Sequence, residues 1–117
     1  MKTKDILGHF TIIGTNQDAS ENTYKGKLFL SSENDTTINA KWIINDTLEQ
    51  FGTGYFKNNR VIINFYYEGI EGSIFKGKVI YKCLTKDILE GLWREELGNP
   101  EFFGTENCFR IQDQVLN

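Results

Sequence analysis

Tyr24-Lys25-Gly26-Lys27-Leu28-Phe29-Leu30 and Phe75-Lys76-Gly77-Lys78-Val79-Ile80-Tyr81 are two versions of one pattern: an aromatic, a lysine-flanked glycine, then apolar residues. Trp42 follows Tyr24 by 18 positions, and Trp93 follows Phe75 by the same 18. A small residue, Ala40 or Gly91, stands two places before each tryptophan. Further on, Phe51-Gly52-Thr53 is echoed by Phe103-Gly104-Thr105 with one residue of slippage. Repetition at this scale predicts a fold built from two similar halves, about 8–57 and 60–112.

Working outward, period-two alternation recurs between clusters of Asn, Asp, Gly and Ser, the pattern of a β-meander. Strands are expected over roughly 8–14, 23–32, 36–45, 49–57, 60–68, 73–83, 87–95 and 102–112, with a short helical start at Lys4–Leu7. Eight hairpin-linked antiparallel strands would expose two edges if flat, so closure into an up-and-down barrel is predicted. The class is all-β and the chain a single domain.

Lysines on alternate positions mark the solvent face. The inward set is then Tyr24, Gly26, Leu28 and Leu30 on the second strand, and Phe75, Gly77, Val79, Tyr81 and Cys83 on the sixth. Ile38, Ala40, Trp42 and Ile44 follow on the third, Val61, Ile63, Phe65 and Tyr67 on the fifth, and Leu89, Gly91 and Trp93 on the seventh. Strand direction brings Tyr24, Trp42, Phe51, Tyr67, Phe75, Trp93 and Phe103 to one rim, which also carries the longer connections. The other rim collects smaller residues and short turns, with Lys4–Leu7 placed to plug it.

An eight-stranded meander with inward tryptophans and one open end resembles the calycins, the avidin-like and lipocalin-like barrels. Gly8-His9-Phe10 is similar to the lipocalin opening Gly-x-Trp, Gly104-Thr105-Glu106 to the Gly-x-Asp of an avidin-like last strand, and Leu89-Glu90-Gly91-Leu92-Trp93 to the strand before it. The resemblance implies a barrel that holds a small, mostly apolar molecule.

Composition bounds the rest. The 117 residues are 39% hydrophobic and 14% aromatic, with a net charge of −3 and the two signs interspersed. No global field favours nucleic acid, and no segment has the roughly 18 consecutive apolar residues of a membrane helix. Met1–Leu7 lacks the apolar stretch of a secretory signal, so a cytoplasmic location is expected. Cys83 and Cys108 fit no metal spacing and fall on non-neighbouring strands, so both are expected as reduced, structural thiols.

His9 is the only histidine and reads as a surface residue. No nucleophile–base spacing, metal cluster or phosphate loop is present, so the expectation is a protein that is not an enzyme and needs no cofactor. Glu68, Glu71, Glu95 and Glu96 sit at strand ends and read as solvated hairpin residues. The candidate ligand-binding residues are Tyr24, Trp42, Tyr67, Phe75 and Trp93 as aromatic walls and Glu106 as polar anchor. Two alternatives stay open. The rim is either a mouth for a small hydrophobic or amphipathic molecule or a filled end, which would leave the barrel as an interaction or structural module. On the last strand, either Gly104, Glu106, Cys108 and Arg110 face inward, or Phe103, Thr105, Asn107, Phe109 and Ile111 do. Outward Phe29, Ile43, Ile80 and Leu92 predict two apolar patches, on strands 2–3 and 6–7, and through them a homodimer.

Overall fold

The computed structural model describes residues 1–20 and 22–112. Its strands are β1 (Gly8–Thr15), β2 (Thr23–Ser31), β3 (Ile38–Ile44), β4 (Leu48–Lys57), β5 (Arg60–Glu68), β6 (Ile74–Thr85), β7 (Ile88–Glu95) and β8 (Gly104–Arg110). Each pairs antiparallel with the next, and β8 returns to β1 to close the barrel. Closure leaves no strand edge free to recruit another chain.

The lysine rule holds on every strand where it was applied. Leu28, Leu30, Ile38, Ala40, Trp42, Val61, Ile63, Val79, Tyr81 and Leu89 are buried, while Lys25, Lys27, Lys76, Lys78 and Lys82 are exposed. On β8 the open choice falls to the charged parity: Gly104, Glu106 and Cys108 are buried, and Asn107 and Phe109 are exposed. Leu28 pairs with Trp42, and Val79 with Trp93, so the two Lys-Gly-Lys segments meet their tryptophans in the same register.

Two expectations change. Phe51 and Phe103 lie at the aromatic end but on the outer face, where Phe51 packs on Tyr66 and the Arg94 guanidinium covers Phe103. Their neighbours Gly52 and Gly104 take the inward positions instead, beneath Trp42 and Trp93. The outer patch on β2–β3 also does not form, because Phe29 pairs with Lys41 and Ile43 with Lys27, which breaks the apolar surface with charge. On β6–β7, by contrast, Ile80 pairs directly with Leu92, and Ile62 pairs with Ile80 from β5.

The narrow end is closed by a 3₁₀ turn, Thr3–Ile6, whose Ile6 is fully buried. Arg110 fastens it. Its guanidinium donates to the Leu7 carbonyl at 2.6 Å, the Asp5 carbonyl at 2.8 Å, the Lys86 carbonyl at 2.7 Å and Asp87 Oδ1 at 2.8 Å. It also lies over the Phe10 ring, 4.7 Å from the centroid. Gly8 makes room for it: at φ +131° a Cβ would be strained, and it would stand 2.5 Å from Arg110 Nη1. Arg110 is thus spent on the base of the barrel.

The two cysteines are free and buried. Leu89 of β7 separates them, pairing with Cys83 on one side and Cys108 on the other. Burial pushes the Cys83 thiol up to about 11 and the Cys108 thiol well above its ordinary range, which keeps both protonated and inert at neutral pH. His9 is exposed and packs edge-on against Phe29.

Candidate functional site

Glu106 is 6% exposed, and its position is set by what its neighbours lack. In the ladder it is opposite Gly14 of β1 and Gly91 of β7. Gly14 is opposite Tyr24 on its other side, and Gly91 is opposite Tyr81. The row across five strands therefore reads Tyr24, Gly14, Glu106, Gly91, Tyr81. A Cβ on Gly14 would come within 2.3 Å of the Tyr24 ring, and one on Gly91 within 2.5 Å of the Tyr81 ring. Two bare glycines let two phenols lie across their strands and converge on one carboxylate.

The phenols bond it from both sides. Tyr24 Oη donates to Glu106 Oε2 at 2.6 Å and Tyr81 Oη to Oε1 at 2.5 Å. Trp42 Nε1, on β3, donates to Oε1 at 3.1 Å and to Tyr81 Oη at 2.9 Å. Burial raises the Glu106 pKa, opposed by the hydrogen bonds from Tyr24, Tyr81 and Trp42. Burial likewise holds both tyrosines far above the usual phenol range, with the adjacent Glu106 charge adding to it. Both remain donors at any physiological pH.

Above this network the barrel is hollow. A cavity of about 240 Å³ opens at the aromatic end, with Glu106 on its wall. Tyr24, Trp42, Phe65, Tyr67 and Trp93 supply its rings, and Ile44, Leu48 and Val79 its aliphatic surface. The rings meet edge to face: Trp93 against Tyr24 and Phe65, and Trp42 against Phe65, with centroids 6.1–6.5 Å apart. Trp93 Nε1 is buried and has no partner among the described residues. At the mouth, Asn16, Asn45 and Gln50 add amides, and Glu95 adds a second carboxylate whose Oε1 accepts from Tyr67 Oη at 2.5 Å. Gln17 ties two mouth loops together, donating to the Asn99 carbonyl at 2.9 Å and accepting from Glu95 N at 2.8 Å.

Five of the six candidate residues thus face one cavity: Tyr24, Trp42, Tyr67, Trp93 and Glu106. Phe75 does not. It keeps the inward parity of β6 but stacks on its ladder partner Tyr67, with centroids 5.2 Å apart and Gly69 packed against it in turn, so Tyr67 rather than Phe75 lines the cavity. Sequence reasoning missed Glu95, read as a hairpin residue. Continuing the β7 parity two places past Trp93 would have placed it inside. It also missed the part of Tyr81 in binding Glu106, a contact that depends on Gly91 being bare. Among the described residues no group of three metal-ligating side chains occurs.

No family model matches the chain, and no curated protein matches it. Solved structures do. A redesigned β-barrel aligns with a TM-score of 0.77 at 13% identity, covering 95% of this chain and 96% of that one. The redesigned barrel mFAP1, bound to DFHBI, aligns at 0.73 and 15% identity, over 93% of this chain and 98% of that one. Another, mFAP0 bound to DFHBI, aligns at 0.70 and 15%, over 91% and 99%. At such identities the likeness establishes the fold, an eight-stranded antiparallel barrel.

Proposed function

We propose that the protein is a noncatalytic binder of a small amphipathic molecule, held in the cavity at the aromatic end, in the manner its calycin-like meander suggests. The observation that carries this reading is the division of the barrel into a packed lower half and a hollow upper half walled by rings. Side chains alone fill most barrels of this width, so an opening of about 240 Å³ is space left over. An apolar cavity of roughly 150 Å³ holds benzene, so this one suits one ring or two fused rings. That mFAP1 and mFAP0 are described bound to DFHBI is consistent with the use of such a barrel for a small molecule.

The two tryptophans on the cavity wall make the test direct. Tryptophan fluorescence should change on titration with some one- or two-ring compounds from a panel of all charges, and Leu48→Trp at the mouth should abolish the response while leaving the fold intact. A flat response across the panel sinks the reading.

A second reading, an interaction module, has one observation of its own. Ile62, Ile80 and Leu92 form an apolar row on the outside of β5–β7, and Ile80 and Leu92 are exposed.

A further inference from the structure

The charge around the cavity is one-sided. Among the described residues its ionisable wall groups, the phenols aside, are Glu106 in the depth and Glu95 at the mouth, and no lysine, arginine or histidine lines it. The bounding strands do carry basic residues, but strand parity turns them away. Lys25 on β2, Lys41 on β3, Lys76 and Lys78 on β6 and Arg94 on β7 alternate with the inward Tyr24, Trp42, Phe75, Val79 and Trp93. The one partly buried guanidinium on β8, that of Arg110, is bound at the far end.

Glu106 therefore has no cationic partner among the described residues, and buried carboxylates ordinarily have one. Its hydrogen bonds come from two phenols and an indole, three donors for a group with about four acceptor positions. One acceptor position is left. A ligand carboxylate or phosphate brought here would meet two acids and no compensating charge. A ligand ammonium would meet the opposite: a free acceptor position and several ring faces, whose quadrupoles attract cations.

We propose that the cavity selects a small arylalkylammonium ion, its nitrogen donating to Glu106 and its ring lying among Trp42, Tyr67 and Trp93. The inference rests on the cavity being a ligand site and names the ligand's chemical class. Selectivity follows from the two carboxylates, and size from the volume: one or two fused rings, on a short linker to nitrogen.

Three isosteric probes test it: 1-naphthylmethylamine, 1-naphthalenemethanol and 1-naphthoate, with phenethylamine, 2-phenylethanol and phenylacetate as a smaller set. Each is titrated at neutral pH by calorimetry, while ¹⁵N spectra follow the indole signals of Trp42 and Trp93. In at least one set the amine should bind at least about tenfold more tightly than the alcohol, the carboxylate should fail to bind, and both indole signals should move. Glu106→Gln should remove the preference for amine over alcohol while the alcohol still binds. Glu95→Gln leaves the buried network untouched and should weaken the amine alone, by about threefold. If the alcohols bind as well as the amines, or the carboxylates bind best, the charge inference is overturned and the cavity reading survives. If no probe of either set moves an indole signal, both are overturned.

Discussion

Gly14 and Gly91 decide whether the Glu106 network exists, since each is the gap through which a tyrosine reaches the acid. Gly14→Ala or Gly91→Ala should cost about 1–3 kcal/mol in denaturant unfolding, because backbone and ring must separate to admit the methyl group. Glu106→Leu should cost more, about 3–5 kcal/mol, as it strands two buried phenols without an acceptor and leaves the Trp42 indole N–H only Tyr81 Oη. Glu106→Gln removes the charge and turns one of the two accepting oxygens into a donor, keeping the side chain's shape. Burial places the folded-state pKa of Glu106 above that of the unfolded chain, so folding takes up a proton between the two values. That contribution to stability is complete below the ordinary carboxylate range and is lost as pH rises through the raised folded value. Relative to Glu106→Gln, the wild type should therefore lose stability across that window, and a constant difference would contradict the raised pKa. In sequence, Glu106 could be assigned to either face. Alternation on β8 gives two plausible sets, and the apolar one, Phe103, Phe109 and Ile111, is the more hydrophobic. What favours the charged set is the pair of glycines opposite it, and that match depends on a register between strands far apart in the chain.

The elements at the two ends of the barrel were legible to different degrees. A closing segment at Lys4–Leu7 could be read from strand direction, and the Thr3–Ile6 turn is there. That Arg110 secures it could not, because arginine four residues beyond Glu106 shares its parity and read equally well as a lumen charge. Four residues of strand span about 13 Å, enough to carry one side chain to the cavity and the other to the base. Arg110→Met keeps an unbranched apolar side chain at the base but removes the guanidinium from over Phe10 together with all four hydrogen bonds. It should destabilise the protein by about 2–4 kcal/mol and raise amide exchange selectively in residues 3–8, with the mouth loops unaffected. Uniformly faster exchange would show that the turn is part of one cooperative unit with the barrel. At the open end, Asn45 and Asp46 at φ 51° and 65° join β3 to β4 and bring Asn45 onto the cavity wall. Left-handed Asn and Asp are the residues such a turn favours, yet in sequence the alternation runs the strand on through Asn45 and places this connection among the longer ones of the aromatic rim.

At the scale of the whole molecule, an outward signal is the row Tyr55, Ile62, Ile80 and Leu92 across β4–β7. Tyr55, Ile80 and Leu92 are 46%, 41% and 53% exposed. Closure has removed the strand edges, so association through backbone pairing is unavailable and side-chain packing must join two copies, as on this face. A two-fold pairing of the same face would bury the row on itself. Lys78 and Lys82, on the same outer face of β6, would oppose it unless they met acids such as Glu90, which pairs with Lys82 across the β6–β7 ladder. The expected dimer is consequently weak and should tighten with salt, since screening relieves lysine repulsion and leaves apolar burial intact. Sedimentation velocity over a range of concentrations should show mass rising with protein and with salt, and Leu92→Lys should hold the protein monomeric. Because the row lies outside and the cavity inside, Leu92→Lys should leave ligand titrations unchanged. A variant that lost both properties would mean that the face and the mouth are coupled through β7, where Leu92 and Trp93 are adjacent.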